Sequence, residues 1–318
     1  MPAMLAASAG TARYKPFKPF TQFVRLGYRL THPPSMHHVA RTLPYLNLSP
    51  QGDVWRLHWQ GRFVTETHSW AALRQNAPEQ LFVVGSGPSV REQNLAPLAR
   101  SACVLVNGAV ALCREGVVKQ PYAVVIEDAR FIQEKGDMLR CLPKGTRLCL
   151  VGSAVQALGA LDPALFEHFR LYYLDGFETP YGKPRRSLDD VPPQHYRRKG
   201  EAKLSLNLQQ GHFGCGTVMY AGVQLGFHLR VRQLLLVGFD MTNFNQPRFY
   251  ETPENAAWCG LEKAFHTRIL PAFELAAETA RELGITLQNC SHTSAVPRSI
   301  LPFNPVLMPE AGAPLRYA

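Results

Sequence analysis

No acidic residue occurs before Asp53, although Arg13, Lys15, Lys18, Arg25, Arg29 and Arg41 all precede it. No Cys-x-x-Cys pair occurs either. The seven cysteines, at 103, 113, 141, 149, 215, 259 and 290, are odd in number and scattered, which argues against a disulfide framework or a zinc knuckle and fits a reducing cytoplasm. Nowhere is there a run of about 18 apolar residues, the length a spanning helix needs. The small, apolar residues 1–10 carry no basic flank of the secretory kind. The expectation is a protein neither secreted nor transmembrane. No RNP sequence, zinc finger or basic helix before heptads accompanies the formal net charge of +10, so nucleic acid is not expected as the partner.

The 318 residues, 46% of them hydrophobic, can bury the core of one large α/β domain or of one domain with an appendage. Tyr14, Phe17, Phe20, Phe23 and Tyr28 interleave with the early cations. That alternation suits an anionic membrane surface, where rings sit at headgroup level and each cation adds roughly 1 kcal/mol. A solvated arm with its aromatics tucked against the domain is the other reading. Residues 1–52 are therefore expected as a basic, aromatic extension, residues 53–300 as the main domain and residues 301–318 as a tail.

Val54–Trp59 and Phe63–Thr65 alternate around Gln60-Gly61 like a small hairpin. Apolar runs at 81–84, 103–107, 122–127, 147–152, 170–174, 233–238 and 285–288 then read as strands buried on both faces. Helical stretches near 92–100, 109–115, 153–159, 217–226 and 272–283 separate them. The alternation predicts a mainly parallel, doubly wound α/β sheet with ligands beyond the carboxyl ends of its strands. Residues 175–212 interrupt it. There Lys183, Arg185, Arg186, Arg197, Arg198, Lys199 and Lys203 outnumber Asp189, Asp190 and Glu201 amid prolines, so this structureless-looking insertion reads as an acceptor-binding lid or a solvated loop.

Leu81–Val84 breaks into Gly85-Ser86-Gly87-Pro88-Ser89, a loop whose glycines let backbone amides approach a phosphate and whose serines add donors. Val90 stands where a dinucleotide fingerprint wants a small residue, and Asn107 where it wants an acid, which argues against NAD. The Asn107 amide can read a pyrimidine edge or a ribose hydroxyl, or Asn107-Gly108 can be only a turn. Gly214-Cys215-Gly216-Thr217 looks like a second glycine-rich turn opening a helix, useful for an anion or for tight packing. Asp240, after Leu234–Phe239, can orient a hydroxyl, act as a base or cap a turn. Tyr250 can donate to a phosphate, and His266 is the candidate general base, with His292 as competitor.

Gly85–Ser89, Val106-Asn107-Gly108, Asp128-Ala129-Arg130-Phe131, the helix from Gly216, Gly238-Phe239-Asp240 and Pro247-Arg248-Phe249-Tyr250 occur in one order. In that order they resemble lipopolysaccharide-core Kdo transferases of the WaaZ type and, more distantly, bacterial sialyltransferases of glycosyltransferase family 42. The resemblance covers roughly residues 80–290. It implies a Rossmann-like variant of the GT-A fold, a donor sugar activated as its CMP ester, and no metal-binding Asp-x-Asp motif, which this sequence also lacks. It further implies transfer of Kdo from CMP-Kdo to a lipopolysaccharide acceptor at the inner membrane surface. Nucleotide contacts are then expected from Gly85, Ser86, Gly87, Pro88, Ser89, Asn107, Gly108, Asp128, Gly216, Thr217, Phe239 and Tyr250, with His266 or Asp240 as base. Ser86 and Cys215 depart from the sialyltransferase pattern, and a histidine at 266 is not clearly shared by the WaaZ type. The rival readings are a CMP-sialic acid-dependent sialyltransferase, a pterin diphosphokinase-like enzyme, and a non-catalytic nucleotide-binding protein of the membrane surface.

Overall fold

The computed structural model describes residues 18–309 apart from Asn243 and Trp258. Arg13, Tyr14, Lys15 and Phe17 of the expected extension therefore lie outside the described residues, as does 310–318 of the expected tail.

Helix α1 (Lys18–Thr31) comes first. Successive residues turn by about 100°, so Thr21 and Tyr28 share the face that meets the protein. Thr21 is buried and Tyr28 packs on the core. Arg25 on the same side donates from Nη2 to the Arg41 carbonyl at 2.6 Å and from Nε to the Leu43 carbonyl at 3.3 Å. The outward arc carries Phe20, Phe23, Leu26 and Leu30, exposed by 51, 73, 54 and 78%. This inverts the usual surface helix, whose polar face meets water.

Strands β1 (Leu46–Gln51), β2 (Val54–Trp59) and β3 (Arg62–Glu66) form an antiparallel sheet. The expected hairpin thus gains a third strand from residues assigned to the extension. The reason is alternation: Leu46 and Leu48 face inward beside Leu57 and Trp59. Helix α2 (Trp70–Arg74), capped by the Ser69 hydroxyl, leads into the main sheet.

That sheet contains β4 (Gln80–Val84), β5 (Cys103–Val106), β6 (Ala123–Ile126), β7 (Arg147–Leu150) and β8 (Arg170–Tyr173). Two further strands, β9 (Tyr196–Lys199) and β10 (Ala202–Ser205), pair only with each other. Strands β11 (Gln233–Val237) and β12 (Thr286–Asn289) complete the main sheet. Its order is β12-β11-β4-β5-β6-β7-β8, and every pairing is parallel. All seven strands expected from apolar runs are present. Alternate residues feed opposite faces: Phe82, Val84, Leu105 and Val124 enter one core, Leu81, Val83, Val104 and Val125 the other. Such side chains each contribute roughly 1.5–3 kcal/mol when fully buried.

Helices α3 (Ala111–Arg114), α4 (Ala129–Lys135), α5 (Gly152–Leu161), α6 (Leu165–His168), α7 (Met219–Leu229), α8 (Leu261–Ala264) and α9 (Leu270–Glu282) flank the sheet. Helix α7 is buried along its whole length. A methyl at Gly222 would stand 2.4 Å from Val83 Cγ1, so glycine there lets α7 lie close on β4 and brings its N-terminal end to the sheet's carboxyl edge.

The 175–212 insertion is not structureless. It holds the β9–β10 hairpin and a small core in which Phe177, Leu188 and Val191 pack with Phe213 just beyond it. Several of its cations are paired: Lys199 with Glu278, Lys203 with Glu178, and Arg197 with Glu282. The expected tail also begins inside the body, with Leu301 and Leu307 buried.

Candidate active site

Strand order reverses between β4 and β11, and a crevice at such a switch point is where open parallel sheets bind ligands. A cavity of about 590 Å³ lies there, lined from the ends of β4, β5, β6 and β11 and from the start of α7. Gly85, Ser86, Gly87, Pro88, Asn107, Asp128, Gly216, Thr217, Phe239 and Asp240 all line it. Ten of the fourteen residues expected at the site therefore meet on one surface. Ser89, Gly108, Tyr250 and His266 do not reach it.

The first glycine loop differs from the expected phosphate cradle. Gly85 N–H donates to the Val237 carbonyl at 2.8 Å and Gly87 N–H to the Gly238 carbonyl at 3.1 Å, extending the β4–β11 contact beyond the strands. Ser89 turns away from the cavity. Its N–H and hydroxyl both donate to the buried Asp240 carboxylate, at 2.9 and 2.5 Å. Asp240 is thus the fastener between two loops, and a methyl on Gly87 would meet its Oδ2 at 2.5 Å. Of the loop's N–H groups, Ser86's has no protein acceptor among the described residues.

The second glycine turn is better placed for an anion. Gly216 sits at φ +104°, in the region that favours glycine, and Gly216, Thr217 and Val218 carry the chain from the cavity into the eleven residues of α7. A helix N-terminus directs N–H groups and a partial positive charge outward, which favours a phosphate.

Asn107 also adopts a left-handed conformation, at φ +45°. Its side-chain Oδ1 is buried without a hydrogen-bond partner, an acceptor able to take an amino or hydroxyl proton from a ligand. Gly108 is covered by Tyr250: a Cβ there would overlap the tyrosine hydroxyl. Burial pushes the Tyr250 phenol up to about 12, so it stays protonated, but it packs behind the wall instead of reaching into the cavity. The residue of that segment which lines the cavity is Arg248, held at 2.9 Å by Glu251. Arg130 adds a second cation, paired with Asp128 at 2.9 Å. Lys135 also binds Glu251, at 2.6 Å, and Arg91 holds the Phe249 and Glu251 carbonyls at 2.7 and 2.6 Å. These contacts fix the loop that presents Arg248.

His266 is exposed on a wide helical turn, Phe265–Ile269, outside the cavity wall. Another histidine stands at the wall. His212 Nε2 lies 2.8 Å from Oε1 of Glu127, which lines the cavity at the end of β6. His212 Nδ1 lies 2.7 Å from the Asp175 carbonyl. Glu127, Arg130, His212 and Arg248 were not singled out as individual site residues from the sequence. The available cue for Glu127 was its position directly after an apolar strand, the same cue that marked Asn107 and Asp240.

Comparison with known proteins agrees with the resemblance read from the motifs. Residues 184–306 match the family described as 3-deoxy-D-manno-octulosonic acid transferase WaaZ. A Salmonella typhimurium protein named "Probable 3-deoxy-manno-octulosonic acid transferase" is 23% identical over 255 residues, covering 76% of this chain and 92% of the relative. An Escherichia coli protein of the same name is 20% identical over 255 residues, covering 76% of this chain and 88% of the relative. Among solved structures, the sialyltransferase CstII of Campylobacter jejuni, in complex with a substrate analogue, cytidine-5'-monophosphate, overlaps 72% of this chain and 86% of its own at 12% identity. Its TM-score is 0.43. The sequence matches indicate a glycosyltransferase enzyme similar to the Kdo transferases. Within that class the similarity is to the WaaZ kind, as the motif order implied.

Proposed function

We propose that this protein transfers Kdo from CMP-Kdo to a hydroxyl of a lipopolysaccharide core oligosaccharide at the inner surface of the cytoplasmic membrane. The observation that carries the reading is the meeting, in one cavity at the β4/β11 switch point, of the α7 N-terminus, the unpartnered Asn107 acceptor and the Arg130 and Arg248 cations. Departure of CMP from a ketosidic carbon builds negative charge on the phosphate while positive charge spreads over the sugar ring. Ser86, Thr217 and the α7 N-terminus would stabilise that phosphate, the electrostatic contribution that usually matters most. No step calls for a metal, so turnover is expected to survive chelation by EDTA.

The 175–212 insertion suits the acceptor. A second cavity of about 580 Å³ lies between it and α9, lined by Lys199, Lys203, Arg268 and His212, and shares Gly214 with the first. Helix α1 suits the membrane. Phe20, Phe23, Leu26 and Leu30 fall on an arc about 120° wide and Arg29 flanks it, the arrangement of a helix lying in a headgroup layer. No helix among the described residues is long and apolar enough to cross a membrane. Replacing both Phe23 and Leu30 by Ser should weaken binding to anionic vesicles by tenfold or more, since each buried apolar side chain contributes roughly 1.5–3 kcal/mol, and leave turnover on a soluble core fragment unchanged.

The test of the donor site is a thermal-shift comparison of CMP, CDP, UDP, GDP and ATP, because a ligand that binds only the folded state raises its stability. CMP should give the largest shift. A preference for ATP, dependent on Mg²⁺, would overturn the reading in favour of a diphosphokinase.

A further inference from the structure

We propose that Glu127, oriented by His212, removes the proton from the acceptor hydroxyl. The inference rests on the transfer reading above and names the group that performs its proton step.

Geometry carries it first. Glu127 lines the donor cavity, His212 lines the adjoining cavity under the insertion, and Gly214 belongs to both walls. The pair thus joins the two cavities, where an acceptor hydroxyl from the second would meet the donor in the first. The His212 main chain is fixed, its N–H donating to the Asp175 carbonyl at 2.9 Å and its carbonyl accepting from Phe177 N–H at 3.0 Å, and the ring is held at both nitrogens, by the Asp175 carbonyl at 2.7 Å and Glu127 at 2.8 Å.

The proton inventory of the pair makes it a base. Both ring nitrogens of His212 face oxygen acceptors, the Asp175 carbonyl and the Glu127 carboxylate. A neutral imidazole carries one N–H and can satisfy only one of them. With that proton on Nδ1, the Nε2 lone pair and Glu127 Oε1 confront each other at 2.8 Å, and one more proton converts the repulsion into a hydrogen bond. Deeply buried His228 shows the alternative: its Nδ1 accepts from Leu208 N–H while its Nε2 donates to the Trp70 carbonyl, so a single ring proton suffices. In keeping with this, burial disfavours charge on both rings, yet Glu127 and the Asp175 carbonyl outweigh it at His212 and hold that ring above its ordinary value. Burial prevails at His228, which lies below. A carboxylate that shares an incoming proton with a neighbouring imidazole is suited to general base catalysis.

The step balances without a further reactant. The acceptor O–H bond breaks and its proton passes to Glu127, where the contact with His212 Nε2 shares it. The oxygen forms its bond to the anomeric carbon as the bond from that carbon to the phosphate oxygen breaks, and CMP leaves with the electron pair. The other ionisable groups around the pair are Asp175 behind the ring, Cys215 and Arg268 beside Gly216, Asp128 with Arg130 on the cavity side, and Glu178, Lys199, Glu201 and Lys203 along the adjoining cavity. Burial pushes Cys215 up to about 12, which leaves it neutral, and raises Asp175 to about 6. The Asp175 carboxylate accepts from Gly176 and Tyr181 N–H groups, so it steadies the insertion and lies off the proton path.

The experiment measures CMP affinity, turnover of CMP-Kdo with a core-oligosaccharide acceptor, and its pH profile, in the full chain. Glu127→Gln should keep CMP affinity and lower kcat by about 10²- to 10⁴-fold, the usual worth of a general base. Glu127→Asp, which retains the charge but withdraws it, should lose about 10²-fold, and serves if the amide variant fails to fold. His212→Gln should move the acidic limb of the profile to lower pH, because the imidazole that shares the proton is gone. Near-normal turnover in the Glu127 variants, or a collapse in His266→Ala instead, overturns the proposal. Absence of transfer by the unaltered chain would instead refute the function on which it rests.

Discussion

The two walls of the main cavity use similar polar residues to opposite ends. On the β4/β11 side the N–H groups of Gly85, Gly87 and Ser89, together with the Asp240 carboxylate, are consumed in bonds to one another's loops. On the β6 side Glu127 and His212 meet with a proton's place between them, and Asn107 at the end of β5 keeps an oxygen without a partner. The lesson is that the residues most conspicuous in the sequence build the shape, while Glu127 at the end of β6 and His212 of the insertion meet opposite. In both walls the polar groups are buried or half-buried, so each contact matters more than it would in water.

The largest effect that separates the walls is expected at Asp240. Asp240→Ala strands the N–H of buried Ser89, leaves its hydroxyl only Ser291 as a partner at 3.1 Å, and should cost on the order of 3 kcal/mol, read as a lower denaturation midpoint together with lost CMP binding. Asp240→Asn, which keeps an acceptor for Ser89 N–H, should retain most of both. If Asp240→Asn were fully stable and bound CMP yet failed to turn over, Asp240 would be a reacting group after all and the comparison would break.

A smaller effect should distinguish the two glycine turns. Gly87→Ala pushes a methyl against Asp240 Oδ2 and the Gly238 carbonyl, and overpacking of this kind costs roughly 1–3 kcal/mol. Gly214→Ala meets nothing within 4 Å and should change stability by less than about 0.5 kcal/mol. Equal losses in a denaturant titration would mean that the first loop is no tighter than the second.

The smallest effects should appear as opposite pH dependences. Burial alone would raise Glu251, but Lys135 and Arg248 outweigh it and hold its pKa below the usual carboxylate value. The stabilisation from that group is therefore present above the unfolded-state pKa, about 4.3, and is lost as pH falls through the folded value. The midpoint difference between the unaltered chain and Glu251→Gln should shrink on acidification. His212, held above its ordinary value, behaves in the reverse sense: its contribution is full below the unfolded pKa, about 6.5, and fades as pH rises through the folded one. The difference made by His212→Gln should shrink on the alkaline side. Parallel trends in the two variants would contradict the assigned charge states.

The main sheet was legible because strands buried on both faces are continuous apolar runs, and Val83 or Leu105 needs no partner to announce itself. The hairpin at 54–65 was legible by alternation, but its third strand was not, since Asn47 and Ser49 dilute Leu46 and Leu48. Helix α1 was read only as part of a basic, aromatic extension because its apolar residues face outward, against the pattern that marks a helix packed on a core. Helix α4 went unpredicted although Asp128 caps it by accepting from Arg130 N–H. Nine cavity residues were legible from glycine-rich turns and strand ends, and Asp128 through the resemblance. The Glu127–His212 contact was not, because residues 85 apart in the chain meet only through the course of the insertion. Ser89 and Tyr250 were placed in the correct loops but facing the wrong way, since the pairing of β4 with β11 decides which side each loop presents.

The most direct test of the central claim is a competition assay in which the protein is given CMP-Kdo and CMP-sialic acid together with a lipopolysaccharide core acceptor, and the sugar joined to the product is identified. Kdo on the product, with release of CMP, is the result expected. Sialic acid on the product, or no transfer although CMP binds, would contradict it.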